Sequence, residues 1–108
     1  LAQRLGLDAQ TFFDISSKAS GQNWSMTTYC PVPGPVPSAP SNRGYEGGFA
    51  SALMLKDLKL ALAAANDSGT PVAMGAAAES LYALFAGLGG AGTDFSGLIK
   101  LIDGSWRG

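Results

Sequence analysis

Five of the six prolines in this chain fall between positions 31 and 40, and the segment 49–65 shortly afterwards holds no proline and no glycine. That contrast constrains the fold more than any other feature. Proline removes a backbone donor and fixes φ, so regular structure cannot persist through the first segment. The second, Phe49-Ala-Ser-Ala-Leu-Met-Leu-Lys-Asp-Leu-Lys-Leu-Ala-Leu-Ala-Ala-Ala, is built from strong helix formers and predicts the most secure helix in the chain. A chain of 108 residues is one domain's worth, and with 46% hydrophobic and 14% charged residues it has enough apolar material to pack a core.

Other helices are predicted by local punctuation. Residues 1–5 read as the last turns of a helix whose earlier part is missing, with Arg4 near its end and Gly6 after it, and the chain has no initiating Met. These features predict a fragment or a processed product. Asp8 is suited to N-cap a helix carrying Phe12, Phe13 and Ile15 to about Ala19. Residues 24–48 form a long connection in which Trp24, Tyr29 and Tyr45 argue for packing, so this loop is expected to line a site or wrap a neighbour. After 66–69, Pro71 opens a helix with Met74, Ala78, Leu81 and Phe85 that ends near Gly87, and Thr93 or Asp94 caps a last one with Phe95, Leu98, Ile99 and Ile102 inward. No strand pair is evident. The fold class read from this pattern is all-α, several helices in a bundle, with abundant alanine and glycine allowing close helix contacts or a helix-mediated homo-oligomer.

Charge and residue content exclude several functions. Seven Lys plus Arg against eight Asp plus Glu give a net charge of −1, no basic field for nucleic acid or anionic lipid. With no histidine and one cysteine, the usual metal sets, an internal disulfide and Ser-His-Asp or Cys-His catalysis cannot be assembled within these residues. No stretch is apolar and long enough to span a bilayer and the start lacks the regions of a signal peptide, so we expect a soluble protein of a reducing compartment, neither binding nucleic acid nor entering membranes.

Four features invite chemistry. Gly87-Leu88-Gly89-Gly90-Ala91-Gly92 matches the spelling of a dinucleotide-binding loop, G-x-G-x-x-G, yet it comes after a helix instead of a strand and reads as a helix-to-helix turn. Cys30 has no cationic neighbour in sequence to activate it and reads as an unreactive loop cysteine. The proline-rich run 31–37 is either a ligand for an aromatic groove or, as its flanking aromatics favour, a rigid ordered loop. Lys56 and Asp57 fall on a stripe shared with Phe49, Leu53, Leu60 and Ala64, which places them inward. Burying that pair costs several kcal/mol, on the order of what a buried ion pair requires, unless each charge is compensated. Either the helix turns them to solvent at the rim or they face a polar cavity. Neighbouring residues on a helix point apart, so the two are not expected to neutralise one another.

The order Ser20-Gly21, Trp24, Tyr29-Cys30-Pro31-Val32-Pro33-Gly34, Tyr45-Glu46-Gly47-Gly48-Phe49 and Leu53-Met54-Leu55-Lys56-Asp57-Leu58 resembles the β-hydroxyacid dehydrogenases, and within them the 3-hydroxyisobutyrate dehydrogenase branch. Pro71 to Tyr82 and Asp94-Phe95-Ser96 also fit. The resemblance implies the helical C-terminal domain of the kind found in 6-phosphogluconate dehydrogenase. That domain would belong to an enzyme that oxidises 3-hydroxyisobutyrate to the semialdehyde in valine breakdown, NAD or NADP taking the hydride. It implies that the Rossmann domain and the catalytic lysine lie upstream of Leu1, leaving no catalytic residue here and the isolated chain inactive. It also implies that Lys56 contacts the cofactor, that Asp57 lies beside it in the cleft, and that Trp24 and Tyr29 wall the substrate pocket, although both aromatics also suit a core. A homo-oligomer in the bacterial cytoplasm or the mitochondrial matrix is implied too. Two other readings stay open: a related enzyme such as a tartronate semialdehyde reductase, and a non-catalytic helical interaction module.

Overall fold

A computed structural model describes residues 1–108. It contains five α-helices and four short 3-10 segments, with no strand beyond a single antiparallel bridge between Ala50 and Asp94. The all-helical class read from the sequence is what the chain adopts. No helix is long and apolar enough to cross a membrane. The chain divides into two units, Leu1–Glu46 and Gly47–Gly108.

In the first unit, a single 3-10 turn, Gln3–Leu5, ends at Gly6, whose φ of 83° is the left-handed stop that glycine supplies. The first helix, α1, spans Ala9–Ser16 and is capped as expected: the Asp8 carboxylate accepts from the Thr11 N–H at 3.0 Å. That bond is the leading reason the Asp8 carboxyl sits below its ordinary pKa. Helix α1 is shorter than the expected stretch to Ala19, and residues 17–21 form only turns and a bend.

The proline-rich connection is not wholly irregular. Asn23 caps a one-turn helix, α2, at Trp24–Thr27, by accepting from the Met26 N–H at 2.9 Å. Pro40 opens a 3-10 turn, Pro40–Arg43, where its missing N–H costs nothing. Side chains then supply what a ladder would. Asn42 accepts from the Gly34 N–H at 2.8 Å and donates to the Val36 carbonyl at 2.7 Å. The Ser41 hydroxyl donates to the Cys30 carbonyl at 2.9 Å, and the Tyr45 hydroxyl donates to the Pro31 carbonyl at 2.8 Å. Tyr45 is buried with a φ of 63°, a left-handed conformation unusual for an aromatic residue. Cys30 is buried, in keeping with an unreactive thiol. The run 31–37 thus reads as the rigid ordered loop.

The second unit is organised by a helical hairpin: α3, Ser51–Ser68, turns at Gly69 (φ 65°) into α4, Ala73–Gly87. A 3-10 turn at Gly90–Gly92, a second at Phe95–Leu98 and the short α5, Ile99–Asp103, complete it. Residues 66–68 continue α3 instead of ending it, and α3 starts two residues later than expected because Phe49 and Ala50 are held in backbone pairing with the segment around Asp94.

The packed face of α3 differs from the expected one. Ser51, Met54, Leu55, Leu58, Leu62 and Ala65 are the buried or half-buried positions, whereas Leu53, Lys56, Asp57, Leu60 and Ala64 are exposed. Both sets recur at spacings of three and four, and a helix apolar on most sides offers no periodic signal to choose between them. On α4, Phe85 is fully buried and Ala78 half-buried as expected, but Met74 and Leu81 are exposed and Tyr82 lies inward instead. Ile102 is likewise exposed, while Phe95, Leu98 and Ile99 are half-buried within the last turns.

Phe85 is the largest fully buried side chain. Its ring lies so close to Gly90 that a Cβ there would approach ring carbons to 2.6 Å. Gly90→Ala is therefore expected to destabilise the chain by about 1–3 kcal/mol through overpacking, read as a lower urea midpoint with an unchanged slope.

Candidate functional site

The four residues singled out from the sequence fall into two pairs, one in each unit. In the first unit Trp24 and Tyr29 stack, ring centroids 5.2 Å apart at 29°. Asn23 sets this arrangement by starting the helix on which Trp24 sits, and the turn after Thr27 returns Tyr29 to it. Tyr29 is half-buried, but Trp24 is 59% exposed. An indole left that open is not a core residue of its unit and presents an apolar plate to whatever meets it.

In the second unit Lys56 and Asp57 lie on the exposed side of α3, with side chains 59% and 51% exposed. The inward placement is corrected, and of the two alternatives the helix takes the solvent-facing one. The expectation that adjacent residues would not neutralise one another is corrected as well: Lys56 Nζ lies 2.9 Å from Asp57 Oδ1. The four-carbon lysine stem sweeps across the helix surface, so the divergence of the Cα–Cβ vectors does not decide where the ammonium ends. A pair this exposed contributes about 0–1 kcal/mol. Lys56 can exchange Asp57 for an anionic ligand at little cost, flanked by Leu53 and Leu60 on the same exposed side. With Lys59 also exposed one turn on, the cations and the neighbouring leucines suit a ligand with an anionic group on an apolar or aromatic body.

The start of α3 is held by contacts that the sequence does not disclose beyond the capping role of Asp94. That carboxylate is buried, and its Oδ1 accepts from the Phe49 N–H at 2.9 Å while Oδ2 accepts from the Ser96 N–H at 3.0 Å and from the Ser96 hydroxyl. Around it Ser51 N–H donates to the Thr93 carbonyl at 2.8 Å and Phe95 N–H to the Phe49 carbonyl at 2.7 Å, and the rings of Phe49 and Phe95 meet edge to face at 6.3 Å. The cap is legible from Asp94-Phe95-Ser96; the other oxygen's partner, far away in sequence, is not. Tyr82 closes the cluster from α4, its hydroxyl donating to the Phe95 carbonyl at 3.0 Å. Burial first, and the Asp94 charge second, push its phenol up from 10.0 to about 12.

The string 87–92 is a turn, as its position after a helix requires. Helix α4 ends at Gly87, Gly89 takes a φ of 93°, and a 3-10 turn comes next.

Comparison with known proteins gives the family. Residues 1–102 match the family described as NAD-binding of NADP-dependent 3-hydroxyisobutyrate dehydrogenase. The chain belongs to that family. Among its relatives, the probable 3-hydroxyisobutyrate dehydrogenase of Mycobacterium tuberculosis H37Rv is 46% identical over 102 residues, which are 94% of this chain and 34% of that protein. The mitochondrial 3-hydroxyisobutyrate dehydrogenase of Drosophila melanogaster is 45% identical over 94% of this chain and 32% of its own length, and the NAD-dependent L-serine dehydrogenase of Pseudomonas aeruginosa 45% identical over 91% and 33%. A solved structure of Mycobacterium tuberculosis 3-hydroxyisobutyrate dehydrogenase with L-serine superposes with a TM-score of 0.90 at 44% identity, covering 94% of this chain and 34% of that one. The chain thus spans about a third of the length of these relatives. The nicotinamide dinucleotide expected from the sequence is the cofactor named by the family description.

Because Tyr82 is more readily kept neutral in the fold than in the unfolded chain, its contribution is fully present below pH 10 and is lost as pH rises from there toward about 12. Tyr82→Phe is expected to be less stable than the parent at about pH 9, with the difference shrinking by about pH 11, measured by urea unfolding at both. A gap that stays constant with pH would remove the phenol from this linkage.

Proposed function

We propose that this chain is the helical domain of an NAD- or NADP-dependent dehydrogenase of small 3-hydroxy acids, of the kind that oxidises 3-hydroxyisobutyrate to methylmalonate semialdehyde in valine catabolism. The observation that carries the reading is the exposed Lys56 beside Leu53 and Leu60 on α3, in a chain 46% identical over 102 residues to a probable 3-hydroxyisobutyrate dehydrogenase. The arrangement belongs to the C-terminal domain type of 6-phosphogluconate dehydrogenase, with the Rossmann domain and catalytic lysine supplied by chain outside these residues.

The residues present fit such a cofactor. Lys56 offers a charge that is only weakly engaged by Asp57, and Leu53 and Leu60 offer apolar surface for a ring system. When bound, the dinucleotide accepts the hydride released as the substrate hydroxyl becomes a carbonyl. The role of Lys56 is to hold anionic groups of cofactor or substrate, and Asp57 orients the ammonium while it is unliganded. Trp24 and Tyr29 act as a stacked apolar wall of the substrate pocket, excluding water from the reacting carbon.

L-serine is a second substrate with specific support: one relative is an L-serine dehydrogenase, and the similar solved structure is that of an enzyme with L-serine. Serine and 3-hydroxyisobutyrate share a primary hydroxyl on the carbon β to a carboxylate, so one anion site and one hydride geometry serve both.

The test replaces the matching third of the Mycobacterium tuberculosis relative with this chain and monitors NAD reduction with 3-hydroxyisobutyrate and with L-serine. The hybrid is expected to turn over at least one of them and the 108-residue chain alone neither. Lys56→Ala in the hybrid is expected to lower kcat/KM at least tenfold, about 1.4 kcal/mol of transition-state stabilisation. A folded hybrid that reduces no NAD with either acid overturns the reading, and an unaltered Lys56→Ala overturns the role of that residue.

The same reading makes the protein a homo-oligomer through its helices. Met74, Leu84 and Ile102 are exposed in the second unit, and Leu5 and Ile15 in the first, more apolar surface than a monomer usually leaves to water. Sedimentation of the isolated chain is expected to show association that strengthens with concentration. A compact monomer up to the highest concentrations would count against it.

A further inference from the structure

The family match ends at residue 102, and the chain beyond it doubles back onto the second unit. Gly104, with a φ of 83°, reverses the chain after α5. The Ser105 N–H donates to Asp103 Oδ1 at 2.8 Å and the Trp106 N–H to the Lys100 carbonyl at 2.8 Å, which fixes the base of the returning segment. Trp106 then meets the body of the unit with its ring and its indole N–H: the ring packs edge to face on Phe85, centroids 4.8 Å apart at 70°, and Nε1 donates to the Leu88 carbonyl at 2.8 Å. Lys100 Nζ lies 5.3 Å from the same ring, a cation–π distance. Gly108 Cα lies 3.9 Å from the point where Gly89 would carry a Cβ.

The indole bond to Leu88 and the Gly108 approach fall on the glycine-rich turn, and Phe85, held by the Trp106 ring, reaches the turn from α4 through its contact with Gly90. Four of the residues in 87–92 are glycine, so this segment has more conformational freedom to lose than any other connection in the unit. The segment just after the turn cannot tolerate that freedom, because Thr93 and Asp94 hold the Ser51 and Phe49 N–H groups at the start of α3. Phe85 is pressed between the Gly90 backbone on one side and Trp106 on another. A groove of about 490 Å³, lined by Leu88, Leu101, Gly104, Trp106, Arg107 and Gly108, leaves the returning segment attached at discrete points instead of along its length.

We propose that residues 104–108 are a strap that fastens the glycine-rich turn, and that Trp106 is its positioning residue. The strap acts at a distance on the start of α3: it limits the turn, the turn places Asp94, and Asp94 holds Phe49. Its opening is a local event, separable from unfolding of the α3–α4 hairpin.

The experiment is residue-resolved amide exchange on the full chain. Trp106→Ala is expected to speed exchange of the Leu88, Gly89 and Thr93 amides at least about tenfold, while amides in the middle of α3, Leu58 to Leu62, change by less than about threefold. Trp106→Phe keeps a ring for Phe85 and removes the indole donor, so it is expected to fold like the parent and speed the same three amides by a smaller factor. Unchanged exchange of the turn in either variant overturns the proposal. Equal acceleration throughout residues 47–108 also overturns it, since Trp106 would then contribute only to global stability.

Discussion

A single buried carboxylate sets the geometry of the second unit. Asp94 binds one donor before α3 and two donors of its own segment, through both of its oxygens. Removing a charge of this kind from water is unfavourable unless several donors replace the lost hydration, and the three it receives do so. The consequence reaches outward in order. Phe49 and Ala50 are drawn into backbone pairing, α3 begins at Ser51, and the register of the helix is set with it, including which side carries Lys56 and Asp57. Tyr82 ties the same cluster to α4, so both arms of the hairpin are referred to one point.

How far the sequence discloses this depends on the range of the interaction. Signals that act over three or four residues are legible: the Asp8 cap, the Gly69 stop and the turn character of 87–92. The outward face of α3 is not, because Leu53, Leu60 and Ala64 have the same periodicity as Leu58, Leu62 and Ala65, and only the presence of α4 distinguishes them. The Asp94 bond to Phe49, 45 residues away in sequence, leaves no periodic trace. For the candidate site, the residue types are legible and their surroundings are not. Periodicity places Lys56 inward and apart from Asp57, and it is exposed and paired with it.

That reversal leaves the Lys56 charge only weakly engaged. A lysine buried among leucines needs a permanent counter-charge, and a permanent counter-charge competes with any incoming anion. An exposed lysine in a weak local pair keeps its charge available and still points in a defined direction. The apolar residues flanking it are equally unusual for a solvated helix face, and they make sense as one half of a surface completed by other protein or by a bound molecule.

The loop of the first unit achieves order by a different route. Tyr45 holds a left-handed backbone that disfavours any side chain by roughly 1–2 kcal/mol, yet its hydroxyl bond to Pro31 requires that side chain to be present. Glycine would relieve the backbone and forfeit the bond in the same step. The five prolines between 31 and 40 work from the opposite side of the equilibrium, since each narrows the set of conformations open to the unfolded chain. A segment with few alternatives surrenders little entropy on folding. It can hold one shape with a handful of side-chain bonds, and a surface of fixed shape loses nothing further when a ligand or partner settles against it.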